Sequence, residues 1–167
     1  MPTPPLTPLA AAVLLIDPPP ERALEIECGD GDGVLFLARE FPSARVRGVD
    51  RSERAVRAAT ARVGLDPEGR VAFKAGRPRA LPYPDGFFDL VAQVDGRPAV
   101  AEVARVLRPG GHLILARSGG EGGGLRERLL GWRLRRHGIE SIATADAGDG
   151  SFSVGRLRGE DRAGRAD

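Results

Sequence analysis

Apolar and polar positions alternate between two periods along the chain, and the switches mark the elements. Ala23 to Glu27 is a short apolar run and predicts a strand. Gly29 to Gly33 predicts a tight turn. Val34, Leu35, Leu37, Ala38 and Phe41 then recur at helical spacing, and Pro42 ends that helix. Arg45 to Val49 reads as a second strand and runs into Asp50. Ser52 is placed to cap a helix over Glu53 to Val63, with Val56, Ala59 and Val63 on its inner face. Arg70 to Lys74 is a third strand. Gly76 to Gly86 follows without helical period. Phe87 to Val94 is apolar on both faces, as a central parallel strand requires.

Beyond it, Val100, Val103, Ala104 and Leu107 predict a helix over Ala99 to Leu107. Pro109-Gly110-Gly111 predicts a turn, and His112 to Ala116 a fifth strand. After the glycine-rich loop Ser118 to Gly124, expected to be mobile, Leu125 to His137 is an amphipathic helix. Ile139 to Thr144 and Ser151 to Leu157 predict an antiparallel hairpin around ADAGDG. At the front, Met1 to Pro8 is expected to be loose, and Thr7 to Ile16 a short helix stopped by Pro18, Pro19 and Pro20. The expected organisation is a proline-rich segment over 1–20, one domain over 21–158 and a fraying polar tail over 159–167. Helices alternating with strands imply an α/β fold: a three-layer α-β-α sandwich around a mostly parallel, Rossmann-like sheet.

Composition narrows the function. The formal net charge is +2, with Lys74 the single lysine among 25 basic residues, and the near balance of acids weighs against a dedicated nucleic-acid binder. One cysteine, Cys28, allows no intrachain disulfide and gives no sign of secretion. Leu9 to Ile16 is too short to span a bilayer and lacks a basic leader, so a cytoplasmic protein is expected. Cys28 reads as a small core residue. His112 and His137 have no visible partners, and no metal site is expected.

The stretch from Arg22 to Asp50 carries the chemistry. Strand, glycine turn, helix, strand and terminal carboxylate form the front end of a cofactor-binding βαβ unit. Gly29 and Gly31 let backbone approach a ligand, and Asp50 can accept hydrogen bonds from a ribose diol. Asp85, Asp89 and Asp95 surround the fourth strand. Gln93 and Asp95, near its carboxyl end, are the candidates to orient or deprotonate a nucleophile.

Three blocks give a family resemblance: LEIECGDG (Leu24 to Gly31), RVRGVDRSERAVRAA (Arg45 to Ala59), and ALPYPDGFFDLV with EVARVLRPGGHLILA (Ala80 to Ala116). Over about residues 20–158 the chain resembles the class I S-adenosylmethionine-dependent methyltransferases, of the small type 11-like kind. The resemblance implies S-adenosylmethionine as cofactor. It places Glu25, Glu27, Gly29, Gly31, Asp50, Arg51 and Arg77 around it, with Asp50 on the ribose and Asp89 architectural.

The departures matter as much. The family's loop reads acidic-x-Gly-x-Gly-x-Gly. With Glu25 as the acidic residue, Glu27 replaces the first glycine. A second register, Glu27-Gly29-Gly31-Gly33, restores all three, but the Cys-Gly-Asp-Gly core and the distance from Gly31 to Ala38 favour the first. In the first register Glu27 blocks the pocket, accepts from the cofactor's ammonium, or faces solvent. Arg77 stands where the family often has an adenine-binding aspartate, and arginine cannot accept a hydrogen bond. Only Asp95 to Val100 bridges the fourth strand and the next helix, so the substrate region is shortened. Methyl transfer to a small molecule, or to an exposed group on a partner, is the expected function. The alternative is a non-catalytic interaction or oligomerisation module, for instance a homodimer. A dehydrogenase is disfavoured by CGDG and LRPGG.

Overall fold

The computed structural model describes residues 6–119 and 124–159. Twelve elements follow in order: α1 (Thr7–Val13), β1 (Arg22–Ile26), α2 (Asp32–Glu40), β2 (Arg45–Asp50), α3 (Glu53–Val63), β3 (Val71–Ala75), β4 (Phe88–Val94), α4 (Val100–Val106), β5 (Leu107–Arg117), α5 (Leu125–Arg136), β6 (Ile139–Ala147) and β7 (Gly150–Leu157). They build one seven-stranded sheet ordered β3-β2-β1-β4-β5-β7-β6. β1 to β5 pair in parallel, and β7 runs antiparallel to both β5 and β6. The chain steps outward from β1 to β3, then returns to place β4 on β1's other side. That reversal puts a crevice at the carboxyl ends of β1 and β4, where open α/β sheets bind ligands.

Alternation sorts the strand residues onto two cores. Ala23, Cys28, Val46, Leu90, Ala92, Ile114 and Val154 meet α1 and α2 on one face. Leu24, Ile26, Val49, Val91 and Leu113 meet Val103 and Val106 of α4 on the other. β4 is buried from Phe88 to Gln93, as its unbroken apolar run requires. The β3–β4 connection supplies no helix on the second face. Tyr83, Phe87 and Phe88 cover it as an aromatic cluster with centroids 4.8–5.9 Å apart. Arg105 holds the connection by donating to the carbonyls of Leu81 and Tyr83.

Several expectations shift. Pro8 lies within helix α1, in the first turn, where a missing N–H costs nothing; the rest of the segment expected to be loose, before Leu6, lies outside the described residues. Helix α1 ends at Val13 rather than Ile16, yet Leu9, Ala12, Val13 and Ile16 are all buried in the first core. Pro109-Gly110-Gly111 is not a free turn. It lies within β5, where Leu107 pairs with Phe88 and His112 with Leu90, so the extra residues form an irregularity in the ladder. β6 extends three residues further than expected, to Ala147. The tail beyond Gly159 and the centre of the glycine-rich loop lie outside the described residues. Among those residues no helix is long and apolar enough to cross a membrane.

Asp89 closes the lower end of the sheet. Its Oδ2 accepts from the backbone N–H groups of Glu21 (2.7 Å) and Arg22 (2.8 Å), and its Oδ1 meets Arg108 Nε at 2.5 Å. The carboxylate is 8% exposed, so removing it strands two N–H groups at the start of β1. Asp89→Ala is expected to cost roughly 1–3 kcal/mol of stability. Urea unfolding of the purified variant checks this.

Candidate cofactor site at the sheet's switch point

The loop after β1 fixes the register of the motif. Glu27 has φ +57°, Gly29 +53° and Gly31 +92°. Left-handed backbone at these alternate positions is the geometry of a glycine-x-glycine-x-glycine turn, so Glu27 occupies the first glycine's place. Gly31 is the N-cap of α2. Gly29 has open space where a Cβ would stand. Gly33 lies inside α2, and a Cβ there would overlap the Glu25 carboxylate. Gly33 is thus a close-approach residue, and its place inside α2 sets it apart from the left-handed positions 27, 29 and 31.

Glu25 is 3% exposed and packs under the start of α2. Burial pushes its carboxyl up to about 8, although the Val34 backbone N–H bonds to it and acts in the other direction. The carboxylates of Asp32, Asp30 and Asp50 add to the rise. Its Oε2 has no hydrogen-bond partner. Burial likewise pushes the Cys28 thiol up to about 12, which agrees with an inert core cysteine.

Asp50 sits at the end of β2 and joins two elements. Its Oδ2 accepts from Gly29 N at 3.0 Å, and its Oδ1 accepts from Ser52 N at 2.8 Å. Ser52 in turn caps α3, its Oγ accepting from Ala55 N at 3.2 Å. Each Asp50 oxygen retains accepting capacity after one bond.

Glu27 reaches across the crevice. Its Oε2 accepts from Gln93 Nε2 at 2.7 Å, and its Oε1 pairs with Arg51 Nη2 at 3.1 Å. The ends of β1, β2 and β4 are thereby linked through side chains. Gln93 is 1% exposed. Because its amide nitrogen must face the acceptor-only Glu27, its Oε1 is left as a buried acceptor without a partner. Gly96 packs so closely that a Cβ would overlap both Gln93 and Glu27.

The remaining predicted residues separate. Asp95 has φ +56° and spends its carboxylate on Ser118, accepting from the backbone N at 2.7 Å and from the hydroxyl. It fastens the end of β4 to the end of β5. Arg77 is exposed on the connection after β3, where its backbone bridges to Ala80. Its guanidinium has no partner among the described residues. Sequence reasoning missed Ser118, although its place just after β5 puts it beside the end of β4 in any parallel pairing of the two. No group of three or more His, Cys, Asp or Glu able to hold a metal occurs among the described residues.

The residues present match S-adenosylmethionine in kind. Asp50 and the open Gly29 suit a ribose diol against backbone. The orphaned Gln93 Oε1 and the Glu27 carboxylate suit an ammonium, and Arg51 suits a carboxylate.

This sheet order, with a glycine turn and a carboxylate at its switch point, defines a class I methyltransferase fold. Residues 23–111 match the methyltransferase domain family, and the chain belongs to it. It is similar to the fatty-acid O-methyltransferase of Mycolicibacterium smegmatis, 35% identical over 101 residues covering 56% of this chain and 36% of that protein. It is also similar to the demethylmenaquinone methyltransferase of Thermus thermophilus, 35% identical over 113 residues covering 63% of this chain and 50% of that protein. The chain thus spans between about a third and a half of such curated relatives. Among solved structures, the protein bound to the Trm112 methyltransferase activator of Haloferax volcanii aligns with TM-score 0.78 at 17% identity, over 94% of this chain and 91% of that one. A SAM-dependent methyltransferase from Methanosarcina mazei aligns with TM-score 0.72 at 18% identity, over 90% and 98%. Identities this low speak for the fold alone.

The buried Glu25 predicts a pH dependence. Folded, it keeps its proton up to about pH 8, whereas unfolded it releases it near its ordinary value of 4.5. The folded state binds more protons in that window, so this contribution is complete below about 4.5 and is lost as pH rises through 8. Glu25→Gln should remove that loss and raise stability at pH 8.5 by roughly 1–3 kcal/mol over the parent. Urea midpoints at pH 5 and pH 8.5 for both proteins check the sign.

Proposed function

We infer that this protein transfers a methyl group from S-adenosylmethionine to an acceptor bound beside the carboxyl ends of β4 and β5. The observation that carries the reading is Asp50. Its carboxylate is locked to the N–H of Gly29, so turn and acceptor stand as one preformed corner suited to a nucleoside. The cofactor, when bound, supplies a methyl group already activated on a sulfonium. The chain's own task is then alignment and exclusion of water, which needs no nucleophilic side chain. In this reading Asp50 holds the ribose. Glu27 and Gln93 accept from the ammonium, and Arg51 pairs with the methionine carboxylate. Gly29 and Gly31 give backbone access, while Glu25 supports the loop from beneath. Arg77 stacks on the adenine face. Asp95 positions the β4 end through Ser118.

The printed names of the relatives mention a fatty acid, a demethylmenaquinone and a demethylrifamycin. Their shared element is methyl transfer, not a shared acceptor. A non-catalytic module is the second reading, favoured by one observation: Glu27 is already engaged by Gln93 and Arg51 across the crevice. Such a module would use its surface for a protein partner or a second copy.

Calorimetric titration separates the two. S-adenosylmethionine and S-adenosylhomocysteine are expected to bind the parent. Asp50→Ala should weaken both by about tenfold or more, equivalent to about 1.4 kcal/mol, and Asp50→Asn by less. No heat at millimolar ligand would leave the non-catalytic module as the reading.

A further inference from the structure

α5 does not pack as a sheet-covering helix should. None of its residues is buried, and Leu125, Leu129 and Trp132 are 72%, 51% and 51% exposed. Only Leu134 of this helix packs against the second core. Between α5 and the sheet runs a cleft of about 1010 Å³, at the upper end of the roughly 300–1,000 Å³ typical of small-molecule sites. Leu113, Leu115 and Ser153 lie on its sheet side, and Leu129, Leu130 and Trp132 on its helix side. One end reaches Gln93 and Gly96, the edge of the candidate cofactor site.

A second hollow adjoins that end, sharing Gly96, Pro98, Arg117, Leu129 and Leu130 with the first. Among the described residues its charged lining is Arg97, Arg117, Arg126 and Arg133 against one acid, Asp95. Asp95 is committed to Ser118, and Arg117 faces Glu127 at 3.8 Å. Arg97, Arg126 and Arg133 have no partner among the described residues. A largely apolar cleft, which also carries Glu127, Arg128, Arg135 and Asp146, therefore ends on a shelf of guanidinium groups unpaired among the described residues, beside the candidate cofactor site.

We propose that the α5 cleft binds a free long-chain carboxylic acid, with its hydrocarbon tail between α5 and the sheet and its carboxylate on the arginine shelf. The two halves of the site match the two halves of that ligand. Leucines on both walls receive a flexible apolar chain, and guanidinium groups are the preferred donors to a carboxylate. The head-group chemistry agrees with the rest of the site. Asp95 is occupied by Ser118 and Gln93 does not titrate, so neither of these two residues is free to remove a proton. A carboxylate is ionised at neutral pH and needs none removed. The acid's role as methyl acceptor rests on the function proposed above; its binding does not.

Trp132 is the only tryptophan and lies on the cleft wall, so its fluorescence reports occupancy directly. The full chain, without cofactor, is titrated with laurate below its micelle concentration. A saturable blue shift is expected, with calorimetry giving one laurate per chain. Dodecanol, with the same tail and no charge, should bind at least about tenfold more weakly. The exposed-surface double variant Arg126→Gln/Arg133→Gln should lose a similar factor while keeping the parent's circular dichroism. The absence of a saturable shift, or equal affinity for dodecanol, would overturn the proposal. So would sedimentation showing a dimer that already shields Trp132 without ligand, since a second copy would then fill the cleft. Equal partition onto phosphatidylglycerol vesicles would overturn it too, in favour of a membrane surface. Laurate binding without S-adenosylmethionine binding leaves this inference standing and removes the catalytic one; the converse result does the opposite.

Discussion

The hydrogen bond from Gly29 N to the Asp50 carboxylate is the constraint on which the site depends. It joins the turn after β1 to the end of β2, two points held side by side by parallel pairing from Arg22–Arg45 to Ile26–Val49. The other oxygen of Asp50 accepts from Ser52 N, and Ser52 caps α3. One side chain thus fixes a loop, a strand end and a helix start, and what it fixes is the corner where a nucleoside would rest. Such a carboxylate need not be chosen between structure and binding. Its lone pairs outnumber the two N–H groups it already serves.

Glu27 is the feature that departs most from this frame. A non-glycine residue at φ +57° carries strain of order 1 kcal/mol or more. Glu27 offsets some of that through two polar contacts, one of them a 2.7 Å bond to a buried amide. The ion pair with Arg51 contributes less, because the arginine side chain is 69% exposed and solvent screens it. The bond to Gln93 has the larger consequence. By fixing which way the amide points, it leaves Gln93 Oε1 buried and unpaired, a state that costs about 1–3 kcal/mol unless a donor arrives. A site that holds an unsatisfied acceptor beside an anion and a cation is poised for a zwitterion.

Much of this was legible in the residues. The alternation of periods gave the element order, because the central strand β4 is buried on both faces and helices such as α2 and α4 on one. Asp50, Gly29 and Gly31 were legible because backbone turns and strand ends leave fixed spacings. The direction of Glu27 was not, since a side chain at the mouth of a sheet is placed by partners on β2 and β4 far away in sequence. The engagement of Asp95 was hidden for a similar reason: its spacing marked a strand end, but its carboxylate accepts from Ser118, just after the end of β5. Pro109-Gly110-Gly111 read as a turn because proline and glycine favour turns. Pairing with β4 on either side absorbed it into a strand irregularity instead.

The shortened stretch after β4 links these points. Asp95 to Ala99 passes directly into a seven-residue α4, whose Val103 and Val106 cover part of that face of the sheet. α5 lies over the rest of that face without a buried residue. It is anchored near Ile139 at one end, and its inner side chains are leucines facing a floor that includes Ser153 and Gly155. Because Gly96 belongs to the short connection, to the cleft and to the close contact with Gln93 and Glu27, a ligand entering beneath α5 meets the cofactor corner at that residue.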